Sequence, residues 1–321
     1  MDFELTDDQV ALQEGVRAVL DGRFSLDDVR AIEAAGHLDR DRWRELGETG
    51  VFSLTLPEVD GGLELGVSEA ALVFEELGRA LVPGPLVATL LAAPYVDGAA
   101  TGATVVGLFE PGEPVSVVEH QPDLDALLVL DAAGIRRVDP ALIATTPVPR
   151  PVDALTPVWV VNGPVPDGEL VADGEAAGRA RLVGMTLTAA LQLGLALRAT
   201  ELAVAYAKER EQFGRVIGSF QAVKHLCADM LVRAEVARAA VYAAAVALDG
   251  RSDEDPARAS AVAKVMAGDA AIANGKTGIQ VHGGIGFTWE VDAQRFWKRA
   301  TVLDTHFGNS DEHAEAVAAL L

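Results

Sequence analysis

The stretch YAKEREQFG, residues 206–214, ends the longest helical segment that the sequence predicts. Apolar residues between 177 and 213 fall around most of the helix circumference, which is typical of a helix buried in a bundle. Gly214 stands where a glycine in the left-handed conformation commonly ends a helix. We therefore expect this helix to be the central helix of a helical domain.

Three more helices are predicted on the C-terminal side of this stretch. Their periodicity places them at about 220–249, 255–281 and 291–305, and the glycine-rich sequence HGGIGF at 282–287 separates the last two. Together with the central helix they predict a four-helix bundle over residues 175–321.

On the N-terminal side of the bundle, the chain changes to short β-branched runs separated by Gly, Pro and Asp. This pattern is typical of a small antiparallel sheet or barrel. The runs are VVGLFE (105–110), VSVVEH (115–120), ALLVLD (126–131) and WVVN (159–162). We expect a reduced β domain at residues 99–174.

The first 98 residues are predicted to be helical. Thr6 and Gln9 have the spacing of a capping box, and Ser68 is placed to begin a helix that runs to about Leu81. The predicted fold class is mainly α with a small β domain, in which an N-terminal helical domain at residues 1–98 precedes the β domain and the bundle.

Composition excludes several classes of function. The net charge of −22 opposes binding to nucleic acid and to anionic membrane surfaces. The single cysteine, Cys227, excludes an internal disulfide and indicates a reducing compartment. The six histidines are scattered without metal-ligand spacing, so no metal site is expected. Neither a signal peptide nor a membrane span is predicted, and we expect a cytoplasmic protein.

The residues that could bind a ligand lie at the ends of the bundle helices. The HGGIGF glycines could let a backbone approach a phosphate, and Arg210 could clamp a pyrophosphate, although each taken alone is more often a simple turn or a solvated arginine. Gln221 and Gln280 are more easily explained as structural amides. Trp289 and Trp297 are expected in the core, although a tryptophan beside a glycine-rich loop could also form a wall for a ring-shaped ligand.

The combination of motifs is more specific than any one of them. WRELGETGVFSLTLPEVDGG (43–62) and FEELGRALVPGP (74–85), with MDFELTDDQ at the start, resemble the N-terminal helical domain of acyl-CoA dehydrogenases. YAKEREQFG, SFQAVKHLCADM (219–230) and QVHGGIGFTWE (280–290) resemble the C-terminal bundle of that family. The resemblance implies a helical domain, a β-barrel domain and a four-helix bundle, in the same order as predicted above.

The resemblance also implies an FAD cofactor whose ADP half reaches a neighbouring subunit. It assigns Arg210 to the pyrophosphate, Phe213 to packing against the cofactor, and Gln221 to the adenosine half. The full set of implied cofactor-binding residues is Arg210, Gln212, Phe213, Gln221, Gln280, Gly283 and Gly284. These are residues that a subunit donates to the cofactor of its partner.

The family's catalytic base is missing from this sequence. Counting from Arg299 places Gly308 where the family carries its glutamate, and the alternative position near Gly184 also lacks an acid. Asp304 lies one turn before Gly308, and Glu175 lies nine positions before Gly184. Since removal of an α-proton needs a carboxylate in contact with the substrate, we expect no catalytic residue in this chain, with Asp304 as the weaker alternative.

The middle segment also departs from the family, because FEPGEP (109–114) and WVVNG (159–163) match its flavin-contacting runs poorly. In both departures the chain resembles the short subunits of actinobacterial heterotetrameric acyl-CoA dehydrogenases, including those that act on steroid side chains. The resemblance implies an oxidoreductase of fatty acid or steroid degradation. A longer homologue would be its partner in an α2β2 assembly, an acyl-CoA its substrate, and an electron-transfer flavoprotein or a similar protein its acceptor.

Two alternatives remain open at this point. The chain could be a self-sufficient homo-oligomeric dehydrogenase with an atypical base such as Asp304 or Glu175. It could also be a non-enzymatic relative that keeps the fold as a binding or scaffold protein.

Overall fold

Ten α-helices and nine short strands make up the part of the chain that the computed structural model describes, residues 5–112 and 116–319. The predicted features at residues 1–4, 113–115 and 320–321 lie outside the described residues. They are the start of MDFELTDDQ, the end of FEPGEP with the first residue of the predicted strand at 115–120, and the end of the bundle.

The helices account for most of the architecture. They are α1 (Asp7–Arg23), α2 (Leu26–Ala35), α3 (Arg40–Glu48), α4 (Val67–Arg79), α5 (Leu86–Ala92), α6 (Gly174–Glu209), α7 (Gln221–Leu248), α8 (Pro256–His282), α9 (Ala293–Asp304) and α10 (Ser310–Ala318). The capping box predicted for α1 is confirmed: Thr6 Oγ1 accepts from the Gln9 amide at 3.3 Å, and Gln9 Oε1 accepts from the Thr6 amide at 3.1 Å.

Contacts divide the chain into two compact units. The first contains the described residues up to Leu26, residues 71–82 and residues from 185 onward, and the second contains residues 27–70 and 83–184. The division into domains at 1–98, 99–174 and 175–321 remains a prediction.

The first unit is the helical bundle with α1 and the end of α4. Helices α4 and α6 touch through their backbones, because a Cβ on Gly78 would lie 2.1 Å from the Leu191 carbonyl oxygen. A Cβ on Gly194 would lie 1.9 Å from the Glu75 carbonyl oxygen. Only glycine fits at these two crossings, so they fix the distance between the two helices.

A buried amide fixes three bundle helices to one another. Asn274 of α8 donates from Nδ2 to the carbonyl oxygen of Ala196 on α6 at 3.2 Å and to that of Met230 on α7 at 2.8 Å. Further along, the hydroxyl of Thr186 on α6 lies 3.1 Å from that of Ser260 on α8. Since 186 pairs with 260 and 196 with 274, α6 and α8 run in the same direction.

Two buried carboxylates hold α1 and α7 against α4. Arg17 of α1 donates to both oxygens of Glu76, at 2.8 and 2.6 Å. Tyr242 of α7 donates to Glu75 Oε2 at 2.8 Å. Burial raises the pKa of Glu75, and the hydrogen bond from Tyr242 opposes that shift. Helix α4 is therefore held by polar contacts as well as by the glycine crossings.

The second unit contains two small sheets. The strands of the chain are β1 (Val106–Phe109), β2 (Val117–Glu119), β3 (Ala126–Asp131), β4 (Gly134–Val138), β5 (Thr145–Pro147), β6 (Val158–Val161), β7 (Glu169–Asp173), β8 (Glu211–Gln212) and β9 (Arg215–Val216), the last two belonging to the first unit. One sheet has the order β1-β3-β4-β7 and the other β2-β6-β5. The predicted β domain is present, but β1 and β3 pair in parallel because the chain passes through β2, in the other sheet, between them.

Asp125 joins α3 to the start of β1 within the second unit. Its Oδ2 accepts from Arg40 at 2.6 Å and from the Val105 amide at 2.8 Å. Burial alone would raise the pKa of Asp125, but these hydrogen bonds outweigh it and lower the pKa. The carboxylate is thus kept ionised as an anchor.

Helix α6 is long and apolar enough to cross a membrane by length and composition alone. However, 89% of its most apolar window is buried inside the protein, as expected for a core helix. Among the described residues no other helix passes the same test.

Candidate functional site

The predicted end of the central helix is a hairpin. Helix α6 stops at Glu209, and the Arg210 carbonyl accepts from the Ile217 amide at 2.7 Å, which closes β8 against β9. Phe213 and Gly214 occupy the turn with φ of +54° and +75°. Two successive left-handed residues are characteristic of a type I′ hairpin turn, so Gly214 is a turn residue and not the end of the helix.

The hairpin presents a cation and an aromatic ring to solvent. Phe213 is 91% exposed at the tip, in a backbone conformation that is uncommon for a bulky residue. Arg210 is exposed, and its guanidinium makes no hydrogen bond or ion pair with residues 5–112 or 116–319. Gln212 is also exposed, and its amide donates to the Glu211 carbonyl at 2.8 Å. Arg210 and Phe213 are therefore available to a ligand outside this chain.

The glycine-rich stretch forms a second exposed feature. Helix α8 ends at His282, and Gly283 follows with φ of +68° at the start of a 3₁₀ turn. A Cβ on Gly283 or Gly284 would meet no atom within 4 Å, whereas one on Gly286 would lie 2.5 Å from the Ile279 carbonyl oxygen. Packing explains Gly286, but the first two glycines leave the backbone open to an approaching group.

A ring contact brings these two features to the same end of the bundle. Tyr206, in the last turn of α6, stacks on His282 at the end of α8, with ring centroids 4.3 Å apart and planes inclined by 23°. His282 is fixed in turn, since its Nδ1 lies 2.7 Å from the Gly278 carbonyl oxygen. Arg210 lies four residues after Tyr206, and Gly283 directly follows His282.

The two predicted glutamines lie at this end as well. Helix α7 runs opposite to α8, because Met230 lies beside Asn274 and these two residues are equally far from the short connection between the helices. Gln221 is the first residue of α7, and Gln280 lies two residues before the end of α8. Both are exposed, and neither amide side chain is bonded to a described residue, so neither has the partner that a structural amide would need.

The arrangement fits the ADP half of a dinucleotide. A pyrophosphate needs a guanidinium fork and open backbone, and amide side chains suit the ribose and base. The bundle end offers Arg210, the backbone at Gly283 and Gly284, and the two glutamines, and no described residue forms an ion pair or side-chain hydrogen bond with Arg210, Gln221 or Gln280. In a chain of net charge −22, an unpaired arginine beside open glycines is suited to an anionic ligand.

The position at which the base was sought contains a closed turn. Phe307 and Gly308 have φ of +57° and +90°, and Phe307 is 5% exposed. Nε2 of the buried His313 lies 2.9 Å from the Phe307 carbonyl oxygen. The nearby carboxylate of Asp304 accepts from Ser310 Oγ at 2.6 Å. Asp304 therefore has a structural partner, and Glu175 is an exposed residue in the first turn of α6.

The two middle segments that match the family poorly are held within the second unit. Glu110 accepts from Arg181 Nε at 2.9 Å, and Asn162 donates from Nδ2 to Thr146 Oγ1 at 2.8 Å. Glu113 and Pro114 of FEPGEP lie outside the described residues. Glu110 and Asn162 are thus engaged in internal contacts.

The sequence predicted the wrong environment for Trp289 and gave no sign that Lys264 is buried. Trp289 is 61% exposed, so the expectation that it lies in the core is wrong. Lys264 of α8 is fully buried and donates from Nζ to the Leu303 carbonyl at 3.1 Å, where it caps the end of α9. The periodicity of a mostly apolar helix did not distinguish a buried lysine from a solvated one.

Both ends of the chain match known domain families. Residues 6–103 match the family described as acyl-CoA dehydrogenase, N-terminal domain. Residues 180–321 match the acyl-CoA dehydrogenase C-terminal domain.

Two curated relatives from mycobacteria are similar over nearly the whole chain. The acyl-CoA dehydrogenase IpdE2 of Mycolicibacterium smegmatis is 34% identical, with 92% of this chain and 93% of the relative covered. The acyl-CoA dehydrogenase FadE34 of Mycobacterium tuberculosis is 36% identical over 98% of this chain, which spans only about half of that relative, 48%.

Solved structures share the fold at lower identity. The ChsE4-ChsE5 complex from Mycobacterium tuberculosis contains a chain with a TM-score of 0.85 and 22% identity, with 99% of this chain and 98% of that chain covered. The Tcur3481-Tcur3483 steroid ACAD G363A variant gives a TM-score of 0.82 and 24% identity, with 98% and 97% covered.

Proposed function

The chain belongs to the acyl-CoA dehydrogenase family of oxidoreductases, and from that premise we propose that it is the cofactor-lending subunit of a two-chain, FAD-dependent enzyme. The complex would convert an acyl-CoA to a trans-2-enoyl-CoA. A longer homologue would supply the catalytic glutamate and the pocket for the flavin ring.

One observation carries this proposal. The bundle end presents Arg210, open glycines and glutamine amides that no described residue bonds, whereas Gly308 has no side chain and the neighbouring carboxylate of Glu312 accepts from the Asn309 amide at 3.1 Å. A self-sufficient enzyme would need both features. A chain with only the first is suited to complete the site of a neighbour.

The proposed roles follow from the chemistry of the side chains. Arg210 would hold the pyrophosphate with its guanidinium fork, and the backbone at Gly283 and Gly284 would let the phosphates approach closely. Gln212, Gln221 and Gln280 would hydrogen-bond the ribose and adenine, and Phe213 would pack against the cofactor. When bound, FAD supplies the acceptor for the hydride that leaves the β-carbon of the thioester.

The named neighbours support the proposed assembly. Two of the similar structures are described by pairs of chains, ChsE4-ChsE5 and Tcur3481-Tcur3483, and the second is described as a steroid ACAD. We therefore propose an α2β2 heterotetramer that acts on a fatty-acyl or steroid side-chain CoA thioester in the cytoplasm. An electron-transfer flavoprotein or a similar protein would reoxidise it.

Co-expression followed by flavin quantitation tests the proposal. The chain alone should bind little FAD, and co-purification with a longer homologue that carries an intact glutamate should restore one flavin per heterodimer. A stoichiometric yellow homo-oligomer with activity would support a self-sufficient enzyme instead. Failure to bind FAD in either setting would support a scaffold protein.

The Arg210→Ala variant tests the assigned site within the complex. A hydrogen bond to a charged group contributes about 1.5–3 kcal/mol, so FAD affinity should fall by about 10- to 150-fold. Lys208→Ala is the matched control, because it removes an exposed positive charge two residues earlier in the same helix end. An equal loss of FAD affinity in both variants would mean that Arg210 contributes only positive charge and makes no specific contact with the pyrophosphate.

A further inference from the structure

Two large aromatic side chains are exposed directly after the glycine-rich turn. Phe287 is 73% exposed and Trp289 is 61% exposed. Aromatic side chains are large and apolar, so an exposed pair beside a candidate anion site indicates contact with a ligand or a partner. The role that the bundle end has been assigned above makes no use of either ring.

Two cationic side chains contact the indole ring of Trp289. Lys298 Nζ lies 4.1 Å from the centroid of the ring, and Arg295 Cζ lies 5.4 Å from it, both within the range of cation–π attraction. Arg295 is itself fixed, because its Nη1 donates to Asp292 Oδ1 at 2.9 Å in a buried ion pair. The indole is thus supported from the rigid helix α9 although it is mostly exposed.

The segment between the glycines and the indole is also fixed. The amide and the hydroxyl of Thr288 both donate to the Ile285 carbonyl, at 2.9 and 2.8 Å. The Glu290 amide donates to Thr288 Oγ1 at 3.3 Å. Trp289 therefore keeps a set position relative to Gly284, five residues away.

The open turn at Gly283 and Gly284 suits a phosphate, and the exposed indole of Trp289 follows it in a fixed position. This combination fits a nucleotide, in which one sugar joins the phosphates to the base. On the basis of the proposed function, we propose that Trp289 stacks against the adenine ring of the FAD whose pyrophosphate Arg210 holds. The electron-rich face of an indole suits a purine, and stacking needs no particular hydrogen-bonding pattern. Lys298 and Arg295 would act as positioning residues for the ring.

The test measures FAD affinity of the apo complex formed by this chain and its longer partner, by flavin fluorescence. A base–aromatic stack of ordinary strength predicts a loss of about 5- to 150-fold for Trp289→Ala. Trp289→Phe should recover most of the affinity, whereas Trp289→Leu, which has no ring, should not. Val236→Ala is the control, since it removes an exposed apolar side chain from the middle of α7, 15 residues from Gln221, and should change affinity by less than about threefold.

A second arm separates FAD from the other adenine nucleotide of the reaction. The affinity for free coenzyme A, measured by calorimetry on the same variants, should not change. Loss of coenzyme A affinity with FAD affinity intact would overturn the proposal, as would unchanged FAD affinity in Trp289→Ala. If Trp289→Ala leaves FAD affinity unchanged but Arg210→Ala weakens it, only the stacking proposal fails. If neither variant changes FAD affinity, the proposed function fails as well.

Discussion

Restoring a glutamate at Gly308 should destabilise the chain and should not create a catalytic base. Gly308 has φ of +90°, in the left-handed region, where a residue with a Cβ loses roughly 1–2 kcal/mol. An added Cβ would lie 2.9 Å from His313 Nε2 and 3.1 Å from Glu312 Oε2. The new side chain must therefore displace the imidazole and would carry a second negative charge beside Glu312.

The size of the effect follows from these contacts. Displacing His313 removes its buried hydrogen bond to the Phe307 carbonyl, which costs about 1–3 kcal/mol. Together with the backbone term, Gly308→Glu should lower the free energy of unfolding by about 2–5 kcal/mol. Gly308→Ala shares the backbone strain and the Cβ contact but has no carboxylate, so the difference between the two variants isolates the charged group.

Urea unfolding of the purified chain measures both variants, and turnover of the chain without its partner, assayed with an artificial electron acceptor, measures any gain of activity. Stability of Gly308→Glu within about 0.5 kcal/mol of the parent, the ordinary range for a tolerated surface change, would refute the argument from the turn. New turnover by this chain without its partner would refute the view that the turn cannot hold a base.

The other predictions concern three carboxylates, of which Asp304 and Glu75 have structural partners and Glu175 is exposed. Asp304→Asn keeps an acceptor for Ser310 Oγ, so turnover of the complex should stay within about twofold, and Glu175→Gln should do the same; a true base contributes about 10²–10⁴-fold. A hundredfold loss from Asp304→Asn with unchanged flavin content would make this chain catalytic. Glu75→Gln keeps an acceptor for Tyr242 and removes the cost of a buried charge. Since burial raises the pKa of Glu75 above 4.5, the folded state binds the proton more tightly, and stability falls as pH rises from about 4.5 through the folded pKa. Urea midpoints between pH 5 and 8 should therefore fall more in the parent than in Glu75→Gln, and parallel profiles would contradict this.

The sequence predicts the helices well because their signals are long. The apolar circumference of α6 and the capping box at Thr6 each involve side-chain patterns that tertiary contacts did not override. The hairpin after α6 was missed because strands of two residues are too short to show an alternating pattern. The parallel pairing of β1 and β3 was missed because alternation in short strands does not distinguish direction.

The candidate site was predictable in its composition but not in its geometry. Arg210 and the glycines were identified from their chemistry and from a family resemblance. The exposure of Trp289 contradicts the general rule that large apolar rings are buried, and its bracing by Lys298 depends on the return of the chain through α9. The closed turn at Gly308 depends on His313, a residue of the unpredicted helix α10.

The exposed tip of the hairpin has a consequence for how the two proposed chains must be made in the cell. Phe213, 91% exposed on a tight turn, is a ready contact for any other apolar surface while no partner covers it. A surplus of this chain over its partner would leave such tips uncovered, and the free energy of burying each ring, about 1.5–3 kcal/mol, would be gained only on assembly. Balanced synthesis of the two polypeptides, as from adjacent genes on one transcript, would keep the uncovered form scarce.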